Sequence, residues 1–170
     1  MADSSIHPLA ALSWWVFGAR TRGAAGLVAA LVLFSPARAA QLTLFDGTAT
    51  AAVIYAADGG DPIANAAELL GHDLHLLTRH EPLVTSAFDR VKGPAIIIGP
   101  HDAPQIAAIL QANQISTSPI AASWETYGRA VIPAPWNSAD KALVIFGSDT
   151  RGTIWGVIDL TREMGVSPWE

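Results

Sequence analysis

The sequence predicts an α/β domain built on a small, mostly parallel mixed sheet with helices packed against it. Three observations predict it. Short apolar runs bracketed by Gly and Pro read as strands buried on both faces, most clearly Ala95–Pro100 and Ala142–Phe146. A long segment, Ile63, Ala66, Ala67, Leu70, Leu74 and Leu77, repeats apolar residues at spacings of three and four, as one face of a helix does. Strand and helix signals then alternate along the chain in the order β-α-β-α-β-β-α, which places helices on the faces of a mainly parallel sheet. Of 170 residues, 51% are apolar and 15% charged, enough to build one packed core. Cysteine is absent, so neither disulfides nor thiolate chemistry enters.

The elements follow in order. Ala51 to Ala57 is a β-leaning run around Val53, Ile54 and Tyr55, closed by Asp58-Gly59-Gly60-Asp61-Pro62. Asp61 is placed to cap the next helix, with Pro62 at its first position, where a missing N–H costs nothing. Arg79-His80-Glu81-Pro82 ends that helix. After the strand Ala95–Pro100, Asp102 is expected to start a helix whose inner face is Ile106, Ile109 and Leu110. Asn113 to Ser123 is polar and turn-rich, hence a loop. Trp124 to Ile132 reads as a strand broken at Pro133 to Asn137 and hairpinned antiparallel to Ala142–Phe146. Gly147 to Gly152 turns the chain into a last helix, Thr153 to Met164, with Gly165 at the helix-terminating position. Trp155 falls on or beside its buried face.

The first 39 residues read as a signal peptide. Arg20 and Arg22 precede an apolar run, Gly23 to Phe34, and Ser35-Pro36-Ala37-Arg38-Ala39 supplies small residues for cleavage between Ala39 and Ala40. The run is shorter than the ~20 residues a membrane span needs, so no stable span is expected after cleavage. Arg20-Thr21-Arg22 is not a twin-arginine pair. The expected location is exported, periplasmic or extracellular. Three of the ten basic residues and one of the fifteen acidic ones lie in the leader, leaving 7 basic against 14 acidic in residues 40–170. No basic cluster remains to attract phosphates, which disfavours a nucleic-acid partner.

Candidate chemistry is sparse. His72, His75 and His80 are close in sequence, yet the helical phase puts Glu68, His72, His75 and Arg79 on a polar outer face, and no second cluster completes a metal site. The Gly147-Ser148-Asp149-Thr150-Arg151-Gly152 turn joins a buried strand to a helix start, where free N–H groups favour anions. Lysine is absent after Gly152, so the phosphate-loop motif fails, and Ser148 lies outside a nucleophile elbow. Helix capping by Ser148, Asp149 or Thr150 and an ion pair from Arg151 is the simpler reading; Asp149 and Arg151 are retained as candidate substrate contacts. A glycosidase needs two carboxylates roughly 5–10 Å apart, and the spacing of Asp58, Asp61, Glu125, Asp149 and Asp159 selects no pair. Trp124, Trp136 and Trp169 are candidate surface aromatics. No catalytic residue, metal or cofactor is assigned.

The C-terminal stretch adds a resemblance. Gly147-Ser-Asp-Thr-Arg-Gly-Thr-Ile-Trp-Gly156, then Asp159-Leu160, then Gly165-Val-Ser-Pro-Trp169, resembles the N-terminal domain of glycoside hydrolase family 115, which includes the xylan α-glucuronidases. The strand near Val53, the Asn65–Thr78 helix and Trp124-Glu125 before a strand also fit, so that the resemblance spans about residues 42–169. It implies a fold like the second domain of β-hexosaminidases, here over residues 40–169. It further implies an accessory domain of an exported enzyme that releases (4-O-methyl)glucuronic acid from xylan. In the family a (β/α)₈ barrel follows and holds the catalytic carboxylates. Such a barrel takes about 250 residues, more than the mature chain contains, so none of those carboxylates carries over. The expected partner is that barrel, with a xylan-type polysaccharide bound through it. The alternative is a free-standing exported carbohydrate-binding module.

Overall fold

The computed structural model describes residues 41–166. The proposed leader, the Ala39/Ala40 cleavage site and the Ser167-Pro-Trp169 end of the resemblance lie outside the described residues.

Five strands form one sheet in the order β2-β1-β3-β5-β4. β1 (Ala52–Tyr55), β2 (Val84–Thr85), β3 (Ala95–Pro100) and β5 (Asn137–Gly147) run parallel, and β4 (Tyr127–Ala134) pairs antiparallel with β5. The α/β fold class expected from the sequence is the observed one. Its chain order gains a two-residue edge strand, β2, and a one-turn helix, α3 (Ser118–Ala121), inside the segment read as a loop.

The alternation of side chains along each strand sorts the core into two layers. Val53, Ile96, Ile98 and Ile145 face α1 (Gly60–Thr78) and α4 (Thr150–Glu163), meeting Ile63, Ala67, Leu70, Leu74, Val157 and Leu160. Ile54, Ile97, Val144 and Phe146 face the other way, toward Ile106, Ile109 and Leu110 of α2 (Pro104–Ala112) and Ile120 of α3. All six residues of β3 are buried because it lies in the middle of the sheet with helices on both sides.

Several boundaries differ from the expected ones for identifiable reasons. α1 is capped by Gly59 rather than Asp61, because a 3₁₀ turn over Ala57–Gly59 leads straight into the helix and leaves Asp61 and Pro62 inside its first turn. Asp102 caps nothing; α2 starts after Ala103 with Pro104 at its first position. β4 begins at Tyr127 and runs on through Pro133 to Ala134, with a register shift between those two residues. Proline is tolerated there because β4 is an edge strand and a bulge relieves the ladder. β5 starts at Asn137, five residues before its apolar part, because the hairpin extends past the core. α4 starts three residues early, at Thr150. Leu77 is 47% exposed: it lies in the last turn of α1, where the helix has run past the sheet. No helix among the described residues is long and apolar enough to cross a membrane.

Candidate functional site

The turn between β5 and α4 is where the sequence concentrated its candidates, and the structure accounts for nearly every polar group in it. Asp149 is the N-cap of α4: its Oδ1 accepts from the Gly152 N–H at 2.7 Å. Its Oδ2 accepts from the Glu125 N–H at 3.0 Å. These backbone donors, Gly152 first and Glu125 second, hold its carboxyl below the ordinary aspartate range. Ser148 clasps the same neighbouring strand: its N–H donates to the Thr126 carbonyl at 2.7 Å, and its Oγ accepts from the Thr126 N–H at 3.0 Å. Arg151 pairs with Glu125 at 2.8 Å. Glu125 itself sits in the left-handed region at φ 53°, a conformation few non-glycine residues hold without support.

Two glycines let these segments touch. A Cβ on Gly152 would strike the backbone of Thr126, and one on Gly156 would lie 2.5 Å from Ile145 Cγ2 and 3.0 Å from the Tyr127 ring. The Gly-x-x-x-Gly spacing within the motif is therefore a packing requirement of α4 on the β4–β5 hairpin. Asp149 is engaged by the backbone donors of this clasp, while Arg151, paired with Glu125, keeps its side chain 65% exposed.

A second polar network runs along the outer flank of α4. The Tyr127 hydroxyl donates to Asp159. Arg129 lies above the Tyr127 ring, 5.7 Å from its centroid, and donates to both Glu163 oxygens at 2.9 and 2.6 Å. Arg162 reaches Asp159 at 3.2 Å. Asp159 and Glu163 stand one helical turn apart on one face, a spacing that could present two carboxylates to a sugar. Their electrostatics argue otherwise. The Tyr127 hydroxyl lowers the Asp159 pKa, and the Arg129 guanidinium lowers that of Glu163. A glycosidase general acid needs a carboxyl raised toward neutrality. Asp73 is the described carboxyl that burial raises, at 6% exposure on α1, and the charged group acting on it is His72 rather than a second carboxylate. Among the described carboxylates, Asp73 is thus shifted upward and Asp159 and Glu163 downward.

The remaining candidates resolve individually. His72 and His80 are exposed, and His75 stands 3.0 Å from Glu81. No group of three His, Asp or Glu among the described residues could hold a metal ion. Trp136 packs against the α2-side core and donates its indole N–H to the Gly93 carbonyl at 3.0 Å. Trp124 is 78% exposed. Trp155, expected near the buried face of α4, is 46% exposed, because Gly152, Gly156 and Val157 take the inner positions. It follows Arg151 by one helical turn and therefore shares its face. Exposed Trp155 and Arg151 thus share a face of α4, and exposed Trp124 precedes Arg151's partner Glu125 in the chain. Sequence reasoning missed this grouping, which depends on the contact between Glu125 and Arg151, 26 residues apart.

Against known proteins, no family model matches the chain and no curated protein matches it by sequence. Among solved structures, the fold is similar to part of a family GH115 4-O-methyl-α-glucuronidase with specificity for decorated arabinogalactans. The TM-score is 0.51 at 22% identity, over 71% of this chain and 14% of that one. The chain therefore spans about one seventh of that enzyme's length, and what it shares with it is the α/β fold.

Proposed function

We propose that residues 40–169 are an accessory α/β domain of an exported glycoside hydrolase related to the xylan α-1,2-glucuronidases, and that this domain supports a catalytic barrel rather than performing the chemistry. The observation that carries the reading is the Gly147–Gly156 segment. It resembles the family 115 sequence, it forms the joint between β5 and α4, and it belongs to a fold similar to part of a family 115 enzyme. Two further points support it. The two carboxylates that share a face of α4, Asp159 and Glu163, are engaged by Tyr127 and Arg129 within the domain. The exposed Trp124, Arg151 and Trp155 are of the residue types that dominate protein interfaces. The signal-like leader supports export.

The barrel covers Trp124, Arg151 and Trp155 in the intact enzyme. The chain studied alone should therefore associate with itself, because the exposed indoles have no partner. Static light scattering on the purified chain is expected to show a mass that rises with concentration, and a Trp124→Ser/Trp155→Ser double variant should return it to monomer. A wild-type chain that stays monomeric at high concentration counts against the docking role.

A further inference from the structure

At the carboxyl end of β3 the chain makes a cleft lined by none of the Gly147–Gly156 residues. Ligands in open α/β sheets bind outside the carboxyl ends of the strands, where the strand order reverses. Here β1 leads through α1 to β2 on one side, while β3 leads through α2 toward β4 and β5 on the other. The cleft lies on the α2 side of β3, between the loop after β3 and the segment joining α2 to α3, and encloses about 530 Å³ open to solvent. His101 and Asp102 line one side, Gln111 and Ser116 the other, and Leu110 and Ile115 lie among them. The far wall is held in place: the Ile115 N–H donates to the Leu110 carbonyl at 2.9 Å, and the Ser118 N–H donates to Ser116 Oγ at 3.3 Å.

The tautomer of His101 follows from its partner. Its Nδ1 lies 3.1 Å from the Gly147 carbonyl oxygen, which also accepts the His101 backbone N–H at 2.8 Å. A carbonyl can only accept, so Nδ1 carries the proton and the neutral ring keeps Nε2 bare, as an acceptor. The cleft therefore offers an imidazole acceptor, a carboxylate, an amide and a hydroxyl around apolar carbons. No Lys or Arg lines it, so an anion has no counter-charge. The described residues provide no three-ligand metal group. Hydroxyl groups that donate and accept, on a ring with one apolar face, fit this set best.

We propose that this cleft is a subsite for a neutral pyranose, with His101 Nε2 and Asp102 accepting from sugar hydroxyls. The proposal is independent of the docking role, because it concerns a different part of the surface. Its test is an NMR titration of the full isotope-labelled chain with methyl β-D-xylopyranoside and methyl β-D-glucopyranoside, with sodium glucuronate and zinc chloride as separate arms. The neutral glycosides are expected to shift the amides of His101, Asp102, Gln111 and Ser116 and to saturate in the millimolar range, with glucuronate weaker. Nitrogen shifts of the His101 ring should report a protonated Nδ1. His101→Phe should weaken binding about tenfold, the size of one lost hydrogen bond; if it unfolds, the exposed Gln111→Ala should weaken it about threefold. The proposal is overturned by absence of shifts with either glycoside, by tighter binding of glucuronate, by site-specific zinc saturation, or by unchanged affinity in a folded variant. Any of these leaves the light-scattering outcome, and so the docking role, untouched.

Discussion

Asp149 shows how one side chain joins three segments: it caps α4, ties down Glu125 and receives the Ser148 hydroxyl at 3.4 Å. Replacing it with Ala should cost about 1–2 kcal/mol in urea unfolding, the range for a lost N-cap. Its folded pKa lies below the unfolded value of 3.8, so its contribution is complete above that range and is lost as pH falls through the folded value. Asp149→Asn keeps an acceptor for Gly152. It is expected to retain most of the stability while weakening the acid-side loss, read from unfolding curves at roughly pH 2 to 5, the window that spans the unfolded aspartate pKa and the range below it. Arg151→Ala should change stability by less than about 1 kcal/mol, since the guanidinium is largely solvent-exposed. Gly152→Ala is the severe change at this joint. Its methyl would meet the Thr126 backbone, and a cost of about 1–3 kcal/mol is expected from thermal or urea unfolding. The sequence marked Asp149 as a cap by its type and place. It did not mark Glu125 and Thr126 as the partners, because those bonds cross 22 to 24 residues.

Among the elements, α1 separates what periodicity reveals from what it leaves open. Ile63, Ala66, Ala67, Leu70 and Leu74 are buried as their spacing requires, while Leu69, Leu76 and Leu77 are not. Apolar spacing gives the direction of a helix face but not where the sheet beneath it stops. Leu70→Ala is expected to cost about 2–5 kcal/mol, whereas Leu77→Ala should cost well under half as much, a contrast that chemical denaturation of the two variants would measure. β3 was fully legible because a central parallel strand is apolar throughout. β2 was not, because two residues at a sheet edge carry no periodicity, and its pairing with Val53 and Ile54 is set by the return of α1. Trp155 was misplaced for a related reason: the small inner residues Gly152 and Gly156 rotate the packed face of α4 away from it.

At the scale of the whole molecule, strand–helix alternation was enough to give the sheet architecture, since burial on two faces leaves few alternatives. Clusters that form only when distant elements meet were not legible. The Tyr127–Asp159 and Arg129–Glu163 bonds join β4 to α4 across 32 and 34 residues, and the Glu125–Arg151 pair spans 26. These networks lower the pKa of both α4 carboxylates and engage them within the domain. The most direct test is to incubate the purified chain with 4-O-methylglucuronoxylan and quantify released 4-O-methylglucuronic acid by chromatography. The account predicts no release above the substrate blank. Sustained release, lost on replacing Asp159 or Glu163 with the corresponding amide, would contradict it.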